Sequence, residues 1–359
     1  MGMKTFKYRV YPKKRQITLL NQAIEDSRLV YNELLAQKKT AWENEKRNIT
    51  QYEAQNLITG IKKEKEIKTA TQVLRFAKDR LFDSYNHFYK KNNKFPRFKG
   101  KGFYSSIGLY DGQYELCGNE VVIPKIGRIH IVKHRQWQGA PKQIVIKKSS
   151  TDKWYLCVFC EGEFKNEVAK TGKQIGIDLG LETFAVMSDG NTIERERFFK
   201  HEEDCLAKAQ QALSKQEKGT PERKKKRRVV ARVHERIYFK RDNFVHQHTK
   251  KSLDEYDGIV VEDLSIRGLT KNNKRCINKS IQDVAWGKFV TILSYKASSA
   301  GKKVVFVNPA YTSQTCSGCG YVQKLELSDR VYRCPQCGLE IGRDLNAARN
   351  IYRSGAALL

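Results

Sequence analysis

No run of 18 apolar residues occurs in this 359-residue chain; the longest runs, such as Val304 to Val307, are the length of a strand. A spanning helix needs about 20 predominantly apolar residues, so none is expected. The N-terminal MGMKTFKYRVYP carries no apolar stretch of the secretory kind, and a cytoplasmic setting is expected. Internal repeats are absent, and the one biased tract is a Lys/Arg run around 224–228. Acids are scarce beside bases: 39 Asp plus Glu against 68 Lys plus Arg, or 68 − 39 = +29. At 40% hydrophobic and 30% charged, the chain is too apolar for disorder and too charged for a membrane bundle.

An excess of +29 calls for a polyanion, and nucleic acid is the usual one. The 17 Tyr and 16 Phe supply stacking surfaces among the cations. Nine cysteines, four of them in two Cys-x-x-Cys pairs and the rest scattered, point to a reducing compartment rather than a disulfide framework. The length fits two or three domains with a sizeable core.

Residues 6–10 alternate as a short strand ended by Pro12. Ile17, Leu20, Ile24, Tyr31 and Leu34 then share one helical face, and further helices are expected over Gln51–Lys63 and Thr69–Lys90. A basic, aromatic loop, FPRFKGKGFYS, runs from Phe95 to Ser105, after which the period changes to two over Glu120–Pro124, Gly127–Val132, Gln143–Lys148 and Trp154–Cys160. A small β-barrel interrupted by helices is the simplest arrangement. Beyond a polar linker, a hairpin from Ile175, a long helical pair over 201–251, a strand at Ile259–Val261, a helix over Ser280–Ala300 and a strand at Val304–Val307 suggest a mixed α/β domain. Residues 222–241 carry ten Lys/Arg and two acids, 10 − 2 = +8, opposite the apolar row Val230, Val233, Ile237 and Phe244. Lys224, Lys225, Lys226, Arg227, Arg228, Arg232 and Arg236 are therefore candidate nucleic-acid contacts.

Cys316-Ser-Gly-Cys319 and Cys334-Pro-Gln-Cys337 are separated by fourteen residues, and a glycine follows each pair. Two such knuckles suit one tetrahedral Zn²⁺ with all positions filled by protein, hence a structural ion. Three acids end or open regular elements: Asp178 in IGIDLG, Glu262 in GIVVEDL and Asp344 in RDLNAARNIY. Converging carboxylates bind hard divalent ions, and two Mg²⁺ roughly 3.5–4 Å apart can cleave a phosphodiester. IGIDLG also occurs in actin-like kinases, but the second phosphate loop they need, Asp-x-Gly-Gly, is missing.

IGIDLGLETFAV, ARVHERI, VEDLSIRGL, AWGKF, NPAYTSQTCSGCG and CPQCGLEIGRDLNAARNI follow one another in an order that resembles the TnpB family of insertion-sequence proteins, relatives of the type V CRISPR effectors; FKYRVYP and FPRFKG match its front half. The resemblance implies an α+β multidomain protein. An RNase H-like RuvC nuclease domain (170–311 and 339–359) would hold an inserted zinc-ribbon-like module (312–338). A wedge β-barrel (1–12 and 93–165) would hold a helical recognition insertion (13–92). It further implies RNA-guided cleavage of double-stranded DNA, with a guide RNA from the transposon end, one chain per RNA, two Mg²⁺ and one Zn²⁺, and a catalytic triad on Asp178, Glu262 and Asp344. Tyr52, Gln72 and Arg75 become candidates for reading a flanking DNA motif. Gly342 departs from the family, where many members have Asp two residues before the last catalytic acid. A catalytically silent repressor and an RNase H-fold transposase are the alternatives.

Overall fold

The computed structural model describes residues 2–164, 168–264, 283–326 and 329–359. Part of the VEDLSIRGL motif, Cys276 and the first residues of the helix expected from Ser280 lie outside the described residues. The chain divides into two compact units, Met1–Phe164 and Lys165–Leu359.

In the first unit, β1 (Gly2–Val10) is followed by α1 (Lys14–Glu45), α2 (Gln51–Glu64) and α3 (Thr71–Tyr89), then by β2 (Ser106–Tyr110), β3 (Glu115–Cys117), β4 (Glu120–Ile123), β5 (Gly127–Val132), β6 (Ala140–Lys148) and β7 (Trp154–Gly162). Helix α1 buries Leu20, Ala23, Ile24, Val30, Tyr31, Leu34 and Leu35, a stripe at three- and four-residue steps. Helix α2 starts at a capping box in which the Glu53 N–H donates to Thr50 Oγ1 at 3.2 Å and the Thr50 N–H donates to Glu53 Oε2 at 2.7 Å. The seven strands form one sheet ordered β2-β6-β7-β1-β5-β4-β3. Strand β1 is held along its whole length by β7, from Gly2–Gly162 to Val10–Trp154, so the helices are an insertion between the first strand and the rest of its sheet. The expected barrel closure is not part of the strand ladder: β2 and β3 are its two edges among the described residues.

The second unit contains β8 (Gln174–Asp178), β9 (Ala185–Met187), β10 (Thr192–Ile193), α4 (Phe198–Ser214), α5 (Pro221–Glu255), β11 (Gly258–Glu262), α6 (Trp286–Ser299), β12 (Lys303–Val307), β13 (Val331–Arg333), β14 (Glu340–Gly342) and α7 (Arg343–Gly355). Its main sheet is ordered β10-β9-β8-β11-β12, with β8, β11 and β12 parallel and β9 antiparallel to β8. Trp286, Phe289, Ile292 and Leu293 on α6 are buried as expected, whereas Tyr295 is 48% exposed and does not pack into the core. The pair β13–β14 encloses a separate small core of Cys316, Tyr332 and Cys334, and its ladder runs to Gly342, past the expected boundary at 338.

Candidate active site and thiolate cluster

Strands β8 and β11 are parallel neighbours whose last registered pair is Ile177 with Val261, and the next residue on each is an acid, Asp178 and Glu262. The carboxyl ends of adjacent parallel strands are the usual place for a ligand site in such a sheet. Asp344 arrives from elsewhere, in the first turn of α7, which packs across β8, β9, β11 and β12. That approach depends on Gly176, in the middle of IGID. A Cβ there would sit 2.4 Å from the Ala348 carbonyl oxygen and 2.6 Å from Tyr352 Cβ, so a side chain would lever the Asp344 helix off the strand.

Glu262 is buried, and Asp178 and Asp344 are half-buried. Burial, reinforced by the charges of Glu262 and Asp344, pushes the Asp178 carboxyl up to about 8; the Arg343 guanidinium and the Leu179 N–H oppose this and lose. Burial also raises Glu262, against a hydrogen bond in which Thr312 Oγ1 donates to Glu262 Oε1 at 2.5 Å. The Arg343 guanidinium is engaged with the carbonyl oxygens of Glu326 (2.9 Å) and Asp329 (3.3 Å). Asp178 thus feels two like charges, Glu262 and Asp344, and the opposing Arg343 guanidinium; carboxylates in such a set are donors suited to hard divalent cations.

The thiols are more tightly gathered. Among the described residues, Cys316, Cys319, Cys334 and Cys337 are the group of potential metal ligands whose donor atoms all lie within 4.8 Å of one another. Two of the sulfur–sulfur distances are 3.6 Å (Cys316–Cys337) and 3.5 Å (Cys319–Cys334). A tetrahedral zinc with Zn–S of ~2.3 Å implies edges of about 3.8 Å, so the four thiols fit that ion. Burial acts to raise Cys316, but the Cys319 and Gly318 N–H groups and the neighbouring thiols outweigh it and lower the thiol to about 6.

One strip of hydrogen bonds links the two groups, through residues that the sequence did not single out. Asn350 Nδ2 donates to the carbonyls of Thr312 (2.9 Å) and Thr315 (2.6 Å). Asn346 Nδ2 donates to Thr315 O at 2.7 Å, and Asn346 Oδ1 accepts from the Ser317 N–H at 2.8 Å. Thr312 holds Glu262, Asn346 and Asn350 share α7 with Asp344, and Cys316 lies between Thr315 and Ser317. The available signal was two amides four residues apart on the apolar face of RDLNAARNIY; both are buried.

Helix α5 begins at Thr220, whose Oγ1 accepts from the Arg223 N–H at 3.2 Å, with Pro221 at its first position. Lys224, Lys225, Lys226, Arg227, Arg232 and Arg236 are exposed, while Arg228 is partly buried. Arg236 is also tied to Glu202 on α4 at 3.1 Å, which lowers its standing as a free cation. Tyr52, Gln72 and Arg75 are all exposed, Tyr52 in the first turn of α2 and Gln72 and Arg75 near the start of α3. Lys62 Nζ donates to Thr71 Oγ1 at 3.3 Å, so α3 begins beside the end of α2, while Tyr52 occupies the opposite end of α2, about 15 Å of helix away.

The fold defines a class. A solved structure of a Cas12f1–sgRNA–target DNA complex shares it, with a TM-score of 0.60, 12% identity and coverage of 98% of each chain. Residues 150–273 match the OrfB_IS605 model, "Probable transposase", and residues 286–351 match the Cas12f1-like TNB domain. A helix-turn-helix model matches residues 1–47, where this structure has strand β1 and one continuous helix. A protein of Streptomyces pristinaespiralis named "Putative RNA-guided DNA endonuclease" is 31% identical, covering 99% of this chain and 90% of its own. InsQ of Escherichia coli K12, of the same printed description, is 28% identical over 99% and 93%. The chain belongs to the TnpB family.

Proposed function

We propose that the protein is an RNA-guided DNA endonuclease whose RuvC-type centre is formed by Asp178, Glu262 and Asp344. The observation that carries this reading is the parallel pair β8–β11, which ends in Asp178 and Glu262, with Asp344 opening the helix packed across both strands; the raised Asp178 carboxyl accords with it. Two bound Mg²⁺ would supply an activated water and stabilise the leaving oxygen. The chain itself supplies the cation-binding carboxylates, with Thr312 fixing the rotation of Glu262 through Oε1. One structural Zn²⁺ would be held by Cys316, Cys319, Cys334 and Cys337. A protein of this size does not read some 20 base pairs by side chains, and pairing with a guide RNA solves that problem. The exposed cations of α5 suit the backbone of that RNA or its DNA target. The first unit then corresponds to a wedge with its helical insertion, and Gln72 and Arg75, adjacent on α3, are better placed than Tyr52 to read one flanking motif together.

Asp178→Ala should lower Mg²⁺-dependent cleavage by about a thousandfold, the loss of several kcal/mol of charge stabilisation, while RNA binding stays at the parent level. Cutting by the variant at the parent rate would overturn the reading.

A further inference from the structure

A cavity of about 400 Å³ lies where the ends of α1 and α3 meet the loop that follows α3, lined by Lys38, Trp42, Asn48, Tyr85, Tyr89 and Phe95 among others. Trp42 is 57% exposed, Tyr89 60% and Phe95 44%, an unusual outlay of large rings at one place on a surface. The rings support one another edge-on: Phe95 meets Tyr85 at 5.5 Å and Phe88 at 5.3 Å, both T-shaped. Their arrangement therefore does not depend on a ligand to hold it.

The cavity also has a polar floor. Lys38 is 95% buried (5% exposed), its Nζ donating to Asn48 Oδ1 and, at 2.7 Å, to the Ile49 carbonyl. It lies 4.8 Å from the Phe82 centroid and 5.0 Å from that of Tyr85. An ammonium has three N–H groups, and these two bonds use two. The segment 90–101, KKNNKFPRFKGK, adds six Lys/Arg and no acid, and Lys90, Lys91, Lys94 and Arg97 are exposed. Lys39 and Glu43 also line the cavity, and the cations of 90–101 flank Phe95 in sequence. Flat aromatic walls, a buried ammonium and an excess of cations match a flat heteroaromatic ring carrying carbonyl acceptors.

We propose that this cavity takes one unstacked nucleobase of a bound single strand, with Trp42, Tyr89 and Phe95 as stacking surfaces and Lys38 as the donor to a base acceptor. The proposal deepens the guided-nuclease reading and rests on it. Trp42 provides the probe: of the four tryptophans Trp154 and Trp286 are buried and Trp137 is half-buried, so the titration is run in a Trp137→Phe background. The full chain is titrated with oligouridylate, with oligothymidylate and with an abasic ribose-phosphate oligomer of equal length, following tryptophan fluorescence and, separately, binding by anisotropy. Saturable quenching by a base-bearing strand but not by the abasic one is expected; the tighter of RNA and DNA then identifies which strand supplies the base. Trp42→Ala should remove the quench, and Tyr89→Ala should weaken binding by roughly five- to a hundredfold, with Tyr89→Phe restoring it. Equal binding of base-bearing and abasic strands overturns the pocket and leaves the nuclease reading standing. Failure of every strand to bind overturns both. Concentration-dependent self-association that Trp42→Ala abolishes would overturn the pocket by making this patch an interface between copies.

Discussion

The four cysteines and the three acids of the second unit come together by opposite means. The thiols lie within 22 residues of sequence, Cys316 to Cys337, and a local hairpin with its own small core gathers them. The acids span Asp178 to Asp344 and depend on tertiary structure: a parallel strand pair ends in Asp178 and Glu262, and the helix that packs across it opens with Asp344. If the four thiols hold zinc as proposed, ligation would compensate for a core of three buried residues, and the metal would be part of the module's stability. The carboxylate cluster works against stability, since burial and mutual repulsion hold Asp178 far above its ordinary value. On the proposed assignment, one group would be stabilised by its ion, whereas the other would be kept in place by the rest of the unit.

That contrast can be broken from either side. The largest effect is expected for Cys316→Ser. Structural zinc in small modules is worth ~10–16 kcal/mol, so the variant should lose its zinc by elemental analysis and the β13–β14 hairpin should become labile to protease. Full zinc content in this variant would refute the ligand assignment. Because Thr315 and Ser317 are bonded to α7, the same change should also lower cleavage.

A smaller effect sharpens the link between the two groups. Thr312→Val leaves the buried Glu262 without its hydroxyl donor, a hydrogen bond to a charged group worth about 1.5–3 kcal/mol. Cleavage should fall by roughly 10- to 100-fold with a higher Mg²⁺ requirement, and Thr312→Ser should restore it. Unchanged Mg²⁺ dependence in Thr312→Val would leave Thr312 as a packing residue only.

The mildest change concerns the cationic helix. Replacing Lys224, Lys225 and Lys226 by Ala should weaken nucleic-acid binding and reduce the salt slope by about 2–3 units, near 0.7–0.9 for each phosphate that is no longer neutralised. An unchanged slope would mean that this run faces bulk solvent.

What could be read from the sequence follows the same division. The Cys-x-x-Cys pairs are local, and their spacing alone announced a tetrahedral site. The helices of the first unit were legible because Leu20, Ile24, Tyr31 and Leu34 repeat at helical steps and are buried. Asp178 and Glu262 stood out because an acid directly follows a buried apolar run. Their adjacency was expected only through the resemblance, because it depends on the parallel register of Ile177 with Val261. Thr312, Asn346 and Asn350 each act through a hydrogen bond to a distant residue; the two amides were marked only by their place on the apolar face of a helix, and nothing in the neighbours of Thr312 marks it. The open ends of the seven-stranded ladder could not be deduced from alternation, which fixes the faces of a strand but not its partners.

The central claim is that Asp178, Glu262 and Asp344 jointly hold divalent ions. Mn²⁺ binding to the full chain, followed by electron paramagnetic resonance in the parent and in Asp178→Ala, Glu262→Gln and Asp344→Asn, tests it without relying on turnover. Each single substitution should remove tight Mn²⁺ binding while zinc content stays at the parent level; parent-like Mn²⁺ binding in all three variants would contradict it.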